Sequence, residues 1–359
     1  MGELRTTFLE DGAQPASATV DVLTRWIEAA TTSLWVAIYD FDVVDPSTAP
    51  VARALEAASR RGVDVRIAFN REPSHDADAA RPMHRDPAEV DALDVPTRPV
   101  SDQGELMHHK YVVRDGNDVW TGSTNWTPDA FTREENAVLE LTDVPELASA
   151  YAANFERIWR RGHLDRTGSE GPSTILARGI EAQVAFSPAP PWLSLDAARM
   201  IAAADRRVRI CSPVVTSGAV LALLAEHAER RSLELGGAFD RTQMEDVRRQ
   251  WQTVEHNRWK IAAWDTIAPH LSGKVSTPYA PGSVHDYMHA KFLVVDDEVM
   301  TGSFNFSRHG EGNAENVVHL RSEEVAVTFE AFAERVATRY ADASTATRAD
   351  ASGSAAGQT

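Results

Sequence analysis

The feature that most constrains this chain is an internal repeat. The stretch MHHKYVVRDGNDVWTGSTNW, Met107–Trp126, returns as MHAKFLVVDDEVMTGSFNF, Met288–Phe306, with one residue fewer in the interval between the aspartate and the glycine. The shared residues of the first copy, His108, Lys110, Asp115, Gly122, Ser123 and Asn125, correspond to His289, Lys291, Asp296, Gly302, Ser303 and Asn305. A repeat of this length indicates that one supersecondary unit was used twice.

The repeat extends beyond the motif and predicts the fold class. In both halves an apolar, β-branched run typical of a buried strand is followed by a helical pattern, a short strand, the motif strands and a long helical segment. This order predicts an α/β protein of two pseudo-symmetric α/β/α halves, each with a mixed sheet. The only cysteine, Cys211, lies in one of the apolar runs, and we expect it to be a buried strand residue.

Composition predicts the boundaries of the halves. We assign residues 1–162 to the N-terminal half and 180–342 to the C-terminal half, because the stretch 163–179 between them has the Gly, Ser and Pro content of a linker. Residues 343–359 contain no aromatic and no large aliphatic side chain. This tail is therefore predicted to be disordered.

The motif residues predict a phosphodiester site. Side chains at positions i and i+2 of a strand share a face, so His108 and Lys110 project together, and His109 is turned away. A turn then returns a hydroxyl and a carboxamide beside them, from Ser123 and Asn125. Two such halves facing each other would hold two imidazoles, two ammonium groups, two serines and two asparagines. Lysine and asparagine can bind phosphate oxygens while one histidine attacks phosphorus and the other protonates the leaving oxygen. Because the serine hydroxyls lie beside these groups, we expect the motif serines to contact substrate as well.

Each histidine needs a partner that fixes its tautomer. Glu135 and Glu315 both follow the motif serine by 12 residues, and we predict that they orient the imidazoles. Asp115 and Asp296 are predicted to be structural, together with Gly122 and Gly302, because a carboxylate beside the phosphate would repel it.

Other kinds of site fit less well. A single HxK pair is typical of a solvated strand face, but this chain has two complete copies of the motif. A repeat that served packing alone would preserve the apolar positions rather than His, Lys, Ser and Asn. A metal site is disfavoured because lysine alternates with histidine, so we predict no metal and no cofactor. A serine hydrolase would need a GxSxG turn, which is missing. A scaffold or binding module without catalysis remains an alternative of a different class.

Charge bears on the substrate. The formal net charge of −17 means that a polyanion or an anionic lipid can bind only in a basic pocket. Residues 71–106 are acidic, with 9 Asp and Glu against 4 Lys and Arg. By contrast, Arg241–Asp265 interleaves basic residues with tryptophans, which is typical of a base-stacking platform, although these residues could also meet a lipid surface or cap the core. No stretch has the length of a membrane span, and no apolar leader opens the chain, so we predict a cytoplasmic location.

The two copies of His-x-Lys-x4-Asp followed by Gly-Ser-x-Asn resemble the paired HKD motifs of the phospholipase D superfamily, over nearly the whole chain. The resemblance implies the phospholipase D fold and a metal-independent phosphodiesterase with a phosphohistidine intermediate. It also implies that His108 is the nucleophile and His289 the leaving-group acid. We predict a slight preference for nucleic acid, because residues 302–318 resemble the small bacterial nuclease branch. Phospholipid hydrolysis or phosphatidyl transfer is the alternative. Two motifs in one chain predict an active monomer, with an optimum at mildly acidic to neutral pH if the imidazoles titrate near 6.5.

Overall fold

The structure, a computed structural model, describes residues 2–71, 87–102, 104–189, 192–230, 233–280 and 282–353. Within these residues the strands form two mixed sheets, of seven and eight strands. Much of the acidic segment 71–106, namely residues 72–86 and 103, lies outside the described residues.

The first sheet has the strand order β1-β7-β6-β5-β2-β3-β4. Its strands are β1 (Glu3–Leu9), β2 (Ser33–Ile38), β3 (Asp64–Asn70), β4 (Thr97–Val100), β5 (Lys110–Arg114), β6 (Asp118–Gly122) and β7 (Asn136–Thr142). The accompanying helices are α1 (Ala16–Glu28), α2 (Ala49–Arg60), α3 (Pro87–Asp91), α4 (Pro128–Thr132) and α5 (Pro145–Arg161).

The second sheet has the order β12-β11-β10-β13-β14-β15-β9-β8. Its strands are β8 (Ser169–Ile175), β9 (Glu181–Phe186), β10 (Arg207–Ser212), β11 (Glu234–Asp240), β12 (Ser272–Lys274), β13 (Phe292–Val295), β14 (Glu298–Gly302) and β15 (Asn316–Arg321). Its helices are α6 (Leu193–Ala202), α7 (Gly218–Arg230), α8 (Arg241–Gln252), α9 (Arg258–Ile267) and α10 (Glu323–Gly353), with 3-10 turns at Ala177–Gly179, Glu255–Asn257, Ala268–His270 and His309–Glu311.

The two sheets have the same topology once β8 is set aside. In each, the strands that precede the motif are parallel to one another, as β2 is to β3 and β10 is to β11. The motif strands are antiparallel, as β5 is to β6 and β13 is to β14. The α/β class with two pseudo-symmetric halves is thus confirmed.

Strand alternation places helices on both faces of each sheet. In β2, Leu34, Val36 and Ile38 pack with α1 and α2, whereas Ala37 joins the core on the opposite face. That second core contains Phe155 of α5 and Phe329 of α10 as well as strand residues of both sheets, so the two halves share one apolar interior. Cys211 is buried in it, as predicted, and burial raises the pKa of its thiol to about 12.

Two predictions about irregular segments need correction. Residues Ser169–Ile175 of the predicted linker form β8, an edge strand that pairs with β9, because its backbone groups find partners there despite the Gly and Pro content. The predicted disordered tail is helical at its start, since α10 continues to Gly353, and its alanines favour the helix. The rest of the tail lies outside the described residues.

Candidate active site

The two motif segments approach each other across the junction of the halves. The backbone N–H of His108 donates to the carbonyl oxygen of Ala314 at 2.9 Å, and that of His289 donates to the carbonyl oxygen of Glu135 at 3.1 Å. Isolated parallel bridges join Met107 to Ala314 and Glu135 to Met288. These contacts relate the halves by a pseudo-twofold in which Glu135 occupies the place of Ala314.

His108 is held by a carboxylate from the other half. Its Nδ1 lies 2.9 Å from Oε2 of Glu315, a residue with no exposed side-chain surface. The same oxygen accepts a hydrogen bond from the hydroxyl of Ser303 at 2.5 Å, and Oε1 accepts one from Nδ2 of Asn313 at 3.2 Å. Glu315 therefore lies where the sequence predicted an orienting residue.

His289 is held differently. Its Nδ1 lies 3.0 Å from Oδ1 of Asn136 and 3.2 Å from Oε2 of Glu134, and Nδ2 of Asn136 donates to that same Glu134 oxygen at 3.0 Å. The hydroxyl of Ser123 donates to Oδ1 of Asn136 at 2.7 Å, as that of Ser303 does to Glu315. Asn136, rather than Glu135, is thus the structural equivalent of Glu315. The sequence prediction missed both Asn136 and Glu134.

The prediction that Glu135 orients a histidine is wrong. Its carboxylate contacts Nζ of Lys274 at 2.8 Å and accepts a hydrogen bond from the hydroxyl of Tyr340. The cause is one extra residue in the first half: Gly122 pairs with Val138 across the strands, 16 positions on, whereas Gly302 pairs with its partner 15 positions on. Matching residue types at the same distance from the serine therefore occupy different places.

The motif serines also differ from their prediction as substrate contacts. Ser123 and Ser303 have no exposed surface. Each donates its hydroxyl proton to the residue that holds a histidine, and each accepts a hydrogen bond from a backbone N–H, that of Ala137 or Asn316, at 3.0 Å. Because both serine hydrogen-bonding roles are taken within the protein, these side chains fix the orienting residues instead of reaching a ligand.

Each motif lysine is bonded to the backbone of the histidine in its own motif. Nζ of Lys110 donates to the carbonyl oxygen of His108 at 2.7 Å and lies 4.8 Å from the ring centroid of Tyr39. Nζ of Lys291 donates to the carbonyl oxygen of His289 at 2.6 Å. Burial lowers the pKa of Lys110 to about 7, against the attraction of Glu315 and other carboxylates, and burial together with the nearby Lys110 lowers that of Lys291. An anion bound nearby would raise the pKa of each lysine and so stabilise its ammonium form.

Each motif asparagine has a side-chain oxygen without a hydrogen-bond partner. Among the described residues, Oδ1 of Asn125 and Oδ1 of Asn305 are buried and accept no hydrogen bond. A buried amide oxygen without a partner costs free energy unless a hydrogen-bond donor reaches it. Their predicted role toward a phosphodiester would fall to Nδ2, because phosphoryl oxygens accept hydrogen bonds and do not donate them.

The imidazoles are neutral in the free protein at neutral pH. Burial lowers the pKa of His108 to about 4, although the carboxylate of Glu315 opposes the shift. Burial also lowers the pKa of His289, and the charges of Lys291 and Lys110 lower it further. The sequence prediction assumed histidines near their ordinary value, so in the unliganded site its premise does not hold. The negative charge of a bound phosphodiester would raise both values.

His109 faces away from this site, as strand alternation predicted. Its ring packs against Tyr111 and Phe186, and its Nδ1 lies 3.2 Å from Oδ1 of Asn316. Burial lowers the pKa of His109 to about 3. This histidine is part of the core beneath the site.

The motif aspartates and glycines shape the backbone. The carboxylate of Asp115 accepts hydrogen bonds from the N–H groups of residues 31–33, and Asp296 does the same for residues 205–207. Burial alone would raise the pKa of Asp115, but these donors outweigh it and lower the value to about 2. Gly302 has a φ of 153°, and a Cβ there would lie 2.1 Å from the carbonyl oxygen of Asn316. Gly122 has the same geometry against Ala137.

The basic and aromatic segment Arg241–Asp265 forms α8 and α9. Trp251 and Trp264 are buried in the core of the second half, and only Trp259, at 46% exposure, faces solvent. Three of its four arginines form ion pairs with carboxylates of the same segment, Arg248 with Asp265, Arg249 with Asp246 and Arg258 with Glu255. Most of the segment therefore stabilises the fold rather than presenting a stacking platform.

Two other kinds of feature are absent from the part of the chain that the structure describes. Within the described ranges, no group of three or more His, Cys, Asp or Glu side chains is arranged to hold a metal ion. No described helix combines the length and the apolar character needed to cross a membrane.

Two pseudo-symmetric α/β halves that meet around paired His, Lys and Asn motifs define a phospholipase D-type protein. A family profile described as "Cardiolipin synthase, PLD-like domain" matches residues 23–159 and 198–337, one match in each half. The chain belongs to this family of the phospholipase D superfamily.

The chain is also similar to individual curated proteins and to a solved structure. The chain is 37% identical over 113 residues to the mitochondrial cardiolipin hydrolase of Xenopus laevis, covering 32% of this chain and 50% of that protein. It is 30% identical over 142 residues to the human protein of the same name, covering 39% and 50%. The chain thus spans about half the length of these curated relatives. Phosphatidylserine synthase of Haemophilus influenzae has the same fold, with a TM-score of 0.65 at 11% identity over 92% of this chain and 86% of that one.

Proposed function

We propose that this protein cleaves phosphodiesters by a double displacement through a phosphohistidine on His108. The observation that carries the proposal is the fixing of both motif imidazoles through Nδ1, by Glu315 for His108 and by Asn136 with Glu134 for His289. Nε2 of each ring is then the nitrogen left for chemistry. Besides burial and the charge of Lys291, the charge of Lys110 from the other half lowers the pKa of His289, which supports a common site.

The two steps balance without a cofactor. Nε2 of His108 attacks phosphorus, the ester P–O bond breaks, and the leaving oxygen takes both the bonding pair and the proton on Nε2 of His289. Water then attacks phosphorus and gives its proton to His289, while the N–P bond breaks and its electron pair returns to His108. An alcohol in place of water would give transfer instead of hydrolysis.

The remaining motif residues would bind the phosphoryl oxygens. Lys110 and Lys291 supply positive charge in a buried site, where it is worth most. Asn125 and Asn305 would donate to the phosphoryl oxygens through Nδ2 of their carboxamides. Bound phosphate would also return the lysines and His289 to their charged forms. The protonated acid is thereby formed when substrate arrives.

Of the two substrate classes that the sequence leaves open, the structure favours a phospholipid. The predicted base-stacking segment has two of its three tryptophans in the core and three of its four arginines in ion pairs. The similar curated proteins carry the name cardiolipin hydrolase. Nucleic acid is the alternative, to be decided by experiment.

The test compares His108→Ala and His289→Ala with wild type on bis(p-nitrophenyl) phosphate. Both variants should lose nearly all turnover, and His163→Ala, which removes an exposed histidine, should keep it. Full turnover in either motif variant would refute the mechanism. Acid quenching with labelled cardiolipin-containing vesicles and, separately, with labelled DNA identifies the substrate class, because label on His108 should appear with the true substrate.

Two further expectations belong with this proposal. One chain supplies both motifs, so we propose that the monomer is active, and light scattering on the active fraction measures this. We also propose a cytoplasmic location, which fractionation of the native cells checks.

A further inference from the structure

We propose that Glu134 and Asn136 together position His289, and that their order, exchanged relative to Asn313 and Glu315, makes His289 the more readily deprotonated imidazole. This inference rests on the proposed function and deepens it. It explains within this chain how two nearly equivalent histidines come to have unlike roles.

The exchange follows from the pseudo-twofold. Two backbone contacts make Glu135 the equivalent of Ala314, so the residues before and after it correspond as well. Position 134 is then equivalent to 313, and position 136 to 315. The first half has Glu then Asn at these places, and the second half has Asn then Glu. Both halves keep one carboxylate and one carboxamide.

The hydrogen bonds agree with this correspondence. In each half the carboxamide Nδ2 donates to the carboxylate: Asn136 to Glu134 at 3.0 Å, and Asn313 to Glu315 at 3.2 Å. In each half the motif serine donates to the residue at the second position, whichever type it is. The scaffold is therefore the same, and the location of the negative charge differs.

The consequence for the rings is electrostatic. The Nδ1–H of His108 meets a carboxylate oxygen at 2.9 Å, whereas that of His289 meets a carboxamide oxygen at 3.0 Å with the carboxylate of Glu134 slightly further away. A charge-assisted bond stabilises an imidazolium more than a neutral acceptor does. His108 is thus the better placed to carry a cationic phosphohistidine.

Other titratable groups around His289 act in the same direction. The groups that lower its pKa electrostatically are Lys291, Lys110, His108 and His285. An imidazolium with these neighbours readily gives its proton to a leaving oxygen. It then takes one back from water in the second step, as the proposed double displacement requires.

The test exchanges the pair without changing composition. In Glu134→Asn/Asn136→Glu, the carboxylate comes into direct contact with Nδ1 of His289. We expect the His289 titration, followed by NMR on histidine-labelled protein without substrate, to move up by about one pH unit or more. The alkaline limb of kcat should move the same way. Glu134→Gln, which keeps the shape and removes the charge, should move both down.

The opposite exchange, Asn313→Glu/Glu315→Asn, is the matched control: it should lower the titration of His108 and not that of His289. The inference would be overturned if the His289 titration stayed in place in both folded first-half variants, Glu134→Asn/Asn136→Glu and Glu134→Gln. It would also be overturned if the titration moved in the same direction in both. Should the double variant fail to fold, Glu134→Gln alone decides. Absence of hydrolysis in wild type would refute the proposed function instead, since the NMR titration needs no turnover.

Discussion

Replacing Glu315 by glutamine tests the site most directly. Glu315 accepts three hydrogen bonds, from His108, Ser303 and Asn313. Glutamine keeps the shape and one acceptor oxygen, but it loses the charge. Its amide nitrogen would also face a donor, because Oδ1 of Asn313 is already used by the N–H of Leu106 at 2.9 Å.

The expected loss can be estimated from the bond that changes. A hydrogen bond to a charged group contributes about 1.5–3 kcal/mol, and this one strengthens as His108 becomes cationic in the transition state. Because 1.36 kcal/mol is a factor of ten in rate, kcat should fall about 10- to 150-fold. Initial rates on bis(p-nitrophenyl) phosphate measure the fall, and circular dichroism verifies folding.

Glu135→Gln is the informative control. The residue matches Glu315 in sequence, yet its carboxylate contacts Lys274 and Tyr340 rather than a motif histidine. We expect near wild-type kcat with a stability lower by about 1–3 kcal/mol, as a buried charge-assisted bond is weakened. Turnover of Glu315→Gln within twofold of wild type would refute the argument. So would an equal loss in folded Glu135→Gln.

Further predictions concern stability, pH and metals. Gly302→Ala should cost at least about 1–3 kcal/mol, because its Cβ would meet a backbone oxygen at a strained φ; urea unfolding measures this, and a cost under about 0.5 kcal/mol would contradict the geometry. The lowered pKa of Asp115 gives stability that is present above its unfolded pKa of about 3.9 and is lost as the pH falls toward 2. The difference in unfolding free energy between wild type and Asp115→Asn should therefore shrink over that range, and a constant difference would be inconsistent. Because burial lowers the pKa of His108, the fall of kcat/KM on the acid side should occur below pH 6.5, and a fall that begins above that value would argue against a buried nucleophile. Activity should persist in excess EDTA, whereas its loss would indicate a required metal.

The sequence was sufficient to predict the fold because the two copies of the motif identify equivalent strands. Period-two alternation then separates His108 from His109 without any structure. The structural role predicted for Asp115 and Asp296 fits the hydrogen bonds that each carboxylate accepts from three backbone N–H groups. These predictions depend on local geometry, which a strand or a turn imposes wherever it occurs.

The orienting residues were only half predictable, for a physical reason. Aligning Glu135 with Glu315 by residue type is the natural choice, but Gly122 and its cross-strand partner Val138 are one residue further apart in sequence than Gly302 and Val317. A one-residue shift reverses the face of a side chain on a strand. The shift turns Glu135 toward Lys274 and brings Glu134 and Asn136 to His289. Only the backbone pairing shows this.

Crossed contacts make the site a property of the assembled halves. His108 belongs to the first half, yet its ring is held by Glu315, and its backbone N–H is bonded to Ala314 of the second. His289 has the reverse arrangement. A displacement of one half relative to the other would therefore release both imidazoles together, and the shared apolar core that contains Phe155 and Phe329 opposes such a displacement. Stability of the interface and alignment of the two reacting nitrogens thus depend on the same contacts, so variants that loosen this core should lose turnover before they unfold.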